Sequence, residues 1–133
     1  MKRIFLSLII LLFTNTVFAE SFAVNNMTAQ NTLVNQNISY SDCTKMYNIN
    51  NEKLFYLTIG AINANKYTID EIQTANGYII FNVNKSKYIA TIASIDKNNS
   101  IIKITPCNNI YYFPLSIISN IYKYIDINKD MEL

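Results

Sequence analysis

The stretch from Tyr67 to Pro106 constrains the fold more than any other part of the chain. It contains four short runs rich in Ile, Tyr, Val and Thr, and three turn signals join them. β-Branched and aromatic residues favour pleated strands, and strands joined by short turns pair in antiparallel order. Pro106 ends the last run because it cannot donate a hydrogen bond to a neighbouring strand. The stretch therefore predicts a four-stranded antiparallel meander.

The Asn-Gly pair at positions 76–77 predicts the first turn of the meander. Such a pair between two β-prone runs favours a type I′ turn, because both residues adopt positive φ at low cost. This turn would pair Thr74 with Ile79 and Ile72 with Phe81. The pairing in turn fixes which side chains share a face of the hairpin.

The alternation of apolar and polar residues divides the predicted hairpin into two faces. The face that we expect helices to cover carries Ile72, Ile79, Phe81 and Val83. The opposite face, our candidate binding face, carries Glu71, Gln73, Tyr78, Ile80 and Asn82. Tyrosine supplies contact area and a hydrogen bond at low entropic cost, so this mixture suits binding. Isolated apolar residues are also normal on a surface that binds nothing.

The third run, residues 87–96, is apolar at both odd and even positions. A shift of one residue would exchange its two faces, and both registers are self-consistent. One register places Tyr88, Ala90 and Ile92 on the outside of the sheet. The other places Ile89, Ala93 and Ile95 there.

Helical patterns flank the meander. Residues 41–66 are predicted to be helical, and the stronger segment starts near Asn50 with Glu52 in its first turn. The side of this helix predicted to pack on the sheet carries Leu54, Phe55, Leu57, Ala61, Ile62 and Ala64. Pro114 suits the first turn of a second helix, whose buried stripe would be Leu115, Ile118, Ile121, Tyr122 and Ile125. Residues 110–112 are a candidate for a short extra strand before that helix.

The order of helix, meander and helix predicts an α+β fold, with both helices packed on one face of a four-stranded antiparallel sheet. We expect a single domain at residues 41–126 and a charged C-terminal tail at residues 127–133. Residues 20–40 are rich in Asn, Thr, Gln and Ser without a sustained period. That composition predicts a disordered tether.

The N-terminus has the three parts of a secretory signal peptide at residues 1–19. Lys2 and Arg3 precede a ten-residue apolar run, and small residues occupy the −3 and −1 positions of a cleavage site after Ala19. We expect export to the periplasm, the cell surface or the medium, with no membrane span after signal cleavage. An uncleaved anchor is the alternative, although the apolar run is short for a bilayer.

Signal cleavage would also change the charge of the chain. It removes Lys2 and Arg3 from 11 basic residues and leaves nine, against nine acidic residues. Binding to nucleic acid needs clustered Lys and Arg, and the remaining basic residues are scattered. We therefore expect no nucleic acid partner, and expect instead a protein or another component of the envelope.

The absence of His from the sequence limits its chemistry. It removes the commonest general base and the usual Ser-His and Cys-His arrangements. Asp70 and Glu71 are adjacent in a predicted strand, so their side chains should point to opposite faces. Residues 126–132 resemble the start of a calcium loop, but Met131 stands where that loop needs Gly. We expect no catalytic residue, no cofactor and no metal site.

The two cysteines, Cys43 and Cys107, form a possible disulfide, because an even number of cysteines in an exported chain favours pairing. The bond would tie the start of the first helix to the loop after the fourth strand. Two reduced thiols are the alternative. A catalytic cysteine ranks third, since no neighbouring residue in the sequence supplies a base.

Three segments carry a resemblance to other proteins: residues 57–63, the turn at 76–78, and residues 102–106. In these the chain resembles small uncharacterised secreted α-β-meander-α proteins of AT-rich bacteria. Its architecture is also loosely similar to the helix-grip modules of envelope-assembly lipoproteins. Both resemblances imply an α+β fold and export, and neither implies a catalytic site.

Two functions remain open on these observations. The first is an exported, non-enzymatic binding or structural module of the cell envelope or extracellular space. The second is a small secreted hydrolase that uses carboxylates. The lack of His and of a paired acidic motif favours the binding module.

Overall fold

Five antiparallel strands form the main sheet of the protein. The structure is a computed structural model, and it describes residues 33–132. The predicted signal peptide and residues 20–32 of the predicted tether lie outside the described residues. The elements follow in the order β1 (Asn35–Asn37), a short 3-10 helix (Tyr40–Cys43), β2 (Thr44–Tyr47), α1 (Asn51–Ala64), β3 (Thr68–Gln73), β4 (Tyr78–Val83), β5 (Ser86–Ser94), β6 (Ser100–Pro106), β7 (Tyr112–Pro114) and α2 (Ser116–Asn128).

The main sheet has the strand order β2-β6-β5-β4-β3, and every neighbouring pair is antiparallel. Strands β3 to β6 therefore form the predicted meander, and the predicted α+β class is confirmed. The predicted number of four strands is wrong, because β2 adds a fifth strand beside β6. A separate two-stranded sheet joins β1 to β7.

The first hairpin has a longer turn than the Asn-Gly pair predicts. Ile72 pairs with Ile79 and Gln73 pairs with Tyr78, which leaves a four-residue loop at 74–77. Within this loop Gly77 has a φ of 66° and donates its N–H to the carbonyl of Thr74 at 3.2 Å. Asn76 is not among the residues with positive φ, so the predicted type I′ turn is wrong. One glycine in the left-handed region is enough to close the loop.

A β-bulge interrupts the pairing of β3 with β4. Ile69 pairs with Phe81 and Glu71 pairs with Ile80, so Asp70 is an extra residue on β3. A bulge of this kind bends an edge strand and redirects the side chain of the extra residue. The bulge therefore changes where the carboxylates of Asp70 and Glu71 lie.

The inner face of the sheet, defined as the face that packs on the helices, carries the core. Ile79, Phe81 and Val83 are buried there, as predicted. Ile72 shares this face through its pairing with Ile79, but β3 is an edge strand and 44% of Ile72 is exposed. The prediction that helices cover Ile72 is therefore wrong.

Tertiary packing selects one of the two registers that the sequence left open for β5. Tyr88, Ala90 and Ile92 are buried on the inner face. Tyr88 lies with its ring 5.7 Å from that of Phe81 and 5.3 Å from that of Phe113. Its large ring fills the space between the sheet and β7, which a smaller residue in the other register could not do.

The first helix starts where the stronger sequence signal places it. The Asn50 side chain accepts a hydrogen bond from the backbone N–H of Lys53 at 2.8 Å and so caps α1. The predicted helix over the first part of 41–66 is wrong, because that part forms the 3-10 helix and β2. Ala64 is exposed. The other residues that were expected to pack on the sheet are buried, namely Leu54, Phe55, Leu57, Ala61 and Ile62.

The C-terminal half departs from prediction in smaller ways. Pro114 ends β7 and does not open the helix, and the extra strand is displaced from 110–112 to 112–114. Helix α2 buries Ile118, Ile121 and Ile125. It extends to Asn128, so it includes the first two residues of the predicted tail. Similarly, β1 and the start of the 3-10 helix lie within the predicted tether.

Candidate functional site: the outer face of the sheet

The five-stranded sheet has a second face, opposite to the helices, which we call the outer face. The pairing registers and the burial pattern assign its residues. They are Thr44 and Met46 on β2, Ile101, Lys103 and Thr105 on β6, Ile89, Thr91 and Ala93 on β5, Tyr78, Ile80 and Asn82 on β4, and Glu71 and Gln73 on β3. Most of them are half-buried by their neighbours in the sheet.

All five residues of the candidate binding face lie on this outer face. Glu71 pairs with Ile80, and Gln73 pairs with Tyr78. Asn82 continues the same face of β4 one row further along. All five are half-buried, so each presents part of its side chain to solvent.

Glu71 is the centre of a small hydrogen-bonded group. Its Oε1 atom accepts hydrogen bonds from the Tyr78 hydroxyl at 2.8 Å and from the Gln73 amide at 3.1 Å. The bond to Glu71 raises the pKa of Tyr78 above its ordinary value, because the carboxylate favours the protonated phenol. The Oε2 atom of Glu71 makes no hydrogen bond to the part of the chain that the structure describes.

Asp70 also reaches the outer face, which corrects the expectation that Asp70 and Glu71 point to opposite faces. Its carboxylate accepts a hydrogen bond from the Asn82 amide at 2.6 Å and forms an ion pair with Lys87 at 2.8 Å. These contacts, chiefly that with Lys87, lower the pKa of Asp70. The bulge is the physical reason, because an extra residue breaks the strict alternation of a strand.

A shallow hollow lies at the opposite side of the outer face, where β2, β6 and β5 adjoin. The hollow is lined by Tyr40, Thr44, Thr91, Ala93, Ile101 and Lys103. The Lys103 ammonium donates to the Tyr40 hydroxyl at 3.0 Å and lies 5.5 Å from the centre of the Tyr40 ring. The hydrogen bond to Tyr40 raises the pKa of Lys103, so the side chain carries a positive charge.

Sequence reasoning missed this hollow. The sequence predicts a tether at Tyr40 and a helix at Thr44, whereas the short run 44–47 forms β2. A four-residue strand beside a helix start carries too little periodicity to be recognised. Only its pairing with Lys103 and Ile101 brings Thr44 and Met46 onto the outer face.

Isoleucines form the centre of the outer face. Ile80 on β4 pairs directly with Ile89 on β5. In the order of the sheet, β5 is the third strand and β4 is the fourth. Ile101 pairs with Ala93 and with Met46, whose side chain is 63% exposed at the β2 edge. The outer face therefore combines a central aliphatic pair with a carboxylate on one side and an ammonium on the other.

A group of polar contacts fixes β2, which borders the hollow, against α2. The Tyr122 hydroxyl donates to the carbonyl of Cys43 at 2.7 Å, and the Tyr47 hydroxyl donates to the carbonyl of Tyr122 at 3.3 Å. Lys45 forms an ion pair with Asp126 at 2.7 Å. Burial raises the pKa of both tyrosines well above the ordinary range, which keeps them neutral.

The two cysteines are free in the structure, so it does not contain the expected Cys43–Cys107 disulfide. Cys43 is fully buried and Cys107 is exposed. Thr44 pairs with Lys103, so Cys43 is level with position 104 and Cys107 lies three residues further. At about 3.3 Å per residue that offset is about 10 Å, beyond the reach of a disulfide.

Among residues 33–132, which include the whole calcium-like segment at 126–132, no group of three or more His, Cys, Asp or Glu side chains is placed to hold a metal ion. Over that same part of the chain, no helix combines the length and apolarity needed to cross a bilayer.

The outer face can therefore form hydrogen bonds, one or more ion pairs and aliphatic contacts at the same time. Asp70 and Glu71 are both engaged by neighbouring side chains. Neither of them lines the hollow beside Lys103. No protein-family model matches the chain, and no curated protein matches it at a significant level.

Proposed function

We propose that the protein is an exported, non-enzymatic binding module of the cell envelope or extracellular space, and that the outer face of its sheet is the binding surface. The observation that carries the proposal is the uncovered state of this face. Both helices pack on the inner face, and among the described residues Ile80 and Ile89 neither belong to the buried core nor pack against it.

The composition of the outer face supports this proposal. Recognition surfaces place aromatic and aliphatic contacts at their centre and polar groups around them. Ile80 and Ile89 supply the aliphatic centre, and Tyr78 supplies a phenol whose hydroxyl is held by Glu71. Lys103 supplies a cation at the border. The N-terminal signal sequence supports export of the chain to a compartment where such a surface would meet envelope components.

The substitution Ile80→Asp tests the proposal. Ile80 is half-buried on the outer face, so a carboxylate there should leave the helix-packed core intact and disrupt apolar contacts with a partner. We expect the variant to fold normally and to lose the envelope components that the wild type captures in a pull-down from its own cells. Ile127→Asp is the matched control, because Ile127 is exposed on α2, away from the sheet.

Two results would count against the proposal. An Ile80→Asp variant that folds and captures the same components as the wild type would show that the outer face does not bind them. An Ile80→Asp variant that unfolds would show that Ile80 belongs to the core. Thermal unfolding followed by circular dichroism separates these two outcomes.

A carboxylate-dependent hydrolase is the second candidate, and the bulge is the observation that favours it. Asp70 and Glu71 share the outer face, and an acid–base pair needs two carboxylates on one side. The ion pair with Lys87 lowers the pKa of Asp70, which keeps the carboxylate ionised and makes it a weak base. Asp70→Asn and Glu71→Gln would each abolish such an activity, whereas Asp70→Asn, which lies outside the candidate binding face, should leave a binding function measurable.

A further inference from the structure

We propose that the outer face binds a second copy of this chain, forming a two-fold symmetric dimer in which Lys103 of each copy pairs with Glu71 of the other. The inference rests on the proposed function, because it names the partner of the same face. Three features carry it: the unneutralised charges at the two sides of the face, the position of the isoleucines between them, and the area of the face.

Lys103 and Glu71 are the two charged groups of the outer face without an ionic partner in the described residues. The two ion pairs in the described residues join Lys45 to Asp126 and Lys87 to Asp70. Lys103 uses one donor on the Tyr40 hydroxyl, which leaves two. Both hydrogen bonds to Glu71 reach Oε1, so Oε2 is available to accept an ammonium donor.

The strand order places these charges symmetrically. Lys103 lies on β6 and Glu71 on β3, with β5 and β4 between them. A two-fold axis parallel to the strands and above the β4–β5 boundary exchanges β6 with β3 and β5 with β4. Because the axis preserves the position along each strand, Lys103 of one copy then lies one row from Glu71 of the other. One row is two residues, or about 7 Å, which a lysine side chain spans across sheets about 10 Å apart.

The same axis brings the central aliphatic residues together. Ile80 pairs with Ile89 across the β4–β5 boundary, so the rotation places Ile80 of each copy over Ile89 of the other. Face-to-face sheets pack in this way, with interdigitating apolar side chains between strands that run nearly parallel. A two-fold interface needs such self-complementarity, since the same patch serves both copies.

The area of the face predicts a reversible dimer. Four strands about 4.8 Å apart, with about six residues of about 3.3 Å each, give roughly 400 Å² of flat sheet per copy. Relief of the side chains makes the accessible area larger than this. Stable specific interfaces bury about 800 Å² per partner, so the face is near the lower limit.

Charge reversal tests the pairing. In Lys103→Glu, two acidic groups face each other at both sides of the interface, and in Glu71→Lys two basic groups do. Light scattering and sedimentation over a series of concentrations should show a dimer for the exported wild-type chain, with each single variant dissociating at least about tenfold more readily. An equimolar mixture of the two variants should form a heterodimer, because one contact then joins the substituted Glu at 103 to the substituted Lys at 71 and the other contact keeps the native pair of Glu71 and Lys103.

The mixture makes the test independent of each variant's stability. Lys97→Glu is the matched control, since Lys97 is exposed in the β5–β6 turn and should leave dimerisation unchanged. A wild type that stays monomeric throughout, or folded single variants that fail to associate when mixed, would overturn the inference. If that monomer still captures envelope components through Ile80, the proposed binding function is kept and only the dimer is rejected. If the dimer forms and no envelope component is captured, the chain binds itself only.

Discussion

A side chain at position 77 would place its Cβ atom 2.5 Å from the backbone carbonyl oxygen of Ile92. The two residues are also hydrogen bonded, since the N–H of Ile92 donates to the carbonyl of Gly77 at 2.7 Å. The β3–β4 loop is thereby fixed against the end of β5. This close approach, together with the φ of 66° at Gly77, requires glycine.

Gly77→Ala should lower the free energy of unfolding by about 2–4 kcal/mol, because the left-handed conformation and the clash with a backbone atom both oppose a Cβ. Urea unfolding measures the change. Gly60→Ala is the matched control. Its Cβ would lie 3.0 Å from the hydroxyl of Tyr124, which is the end of a flexible side chain, and alanine favours the helix. A change within about 1 kcal/mol is expected at Gly60. Equal effects at the two positions would contradict the assigned role of Gly77.

The hydroxyl of Tyr122 should contribute measurably to stability through its bond to the Cys43 carbonyl. Tyr122→Phe leaves that carbonyl without its partner, and we expect a loss of about 1–3 kcal/mol in the free energy of unfolding. Tyr112→Phe is the control, because Tyr112 is exposed. A Tyr122→Phe variant as stable as the control would show that water replaces the lost hydrogen bond.

The stability of the protein should fall at alkaline pH. Burial is the largest cause that raises the pKa of Tyr47, Tyr67, Tyr88 and Tyr122. In the unfolded chain these tyrosines lose their protons near pH 10, whereas the folded protein retains them. The contribution is therefore fully present below about pH 10 and is lost as the pH rises toward the folded pKa values. Denaturation curves above and below this pH test the prediction, and titration of these four tyrosines near pH 10 in a protein that remains folded would refute it.

The two thiols should differ in reactivity. Exposed Cys107 should react with an alkylating reagent in the native protein, and buried Cys43 should react only after unfolding. Burial raises the pKa of the Cys107 thiol, which the Lys87 charge opposes, so its reaction should accelerate as the pH rises. Mass spectrometry before and after denaturation counts the modified residues. A protein that accepts no reagent until a reductant is added would instead contain the disulfide that the sequence suggested.

Export predicts a new N-terminus. N-terminal sequencing of the exported protein should begin at Glu20, since small residues precede that position. Retention of residues 1–19 on a membrane-bound form would identify an anchor. This segment lies outside the described residues, so the prediction depends on the sequence alone.

Local sequence determined the elements whose signals are strong and short in range. The cap at Asn50, the β-prone runs of the meander and the apolar stripe of α2 specified one helix start, four strands and a second helix. The alternation of apolar and polar residues also assigned the candidate binding face to one side of β3 and β4. These predictions succeeded because capping and periodic alternation act within a few residues.

Tertiary structure decided what local signals leave open. The register of β5 depended on the space for Tyr88 beside Phe113, and the fifth strand depended on pairing with β6, more than fifty residues away. The bulge at Asp70 placed two carboxylates on one face. The hollow at Lys103 required Tyr40 from a segment that has no periodic pattern. Each outcome arises from packing and pairing between distant residues, whose energies a local pattern does not contain.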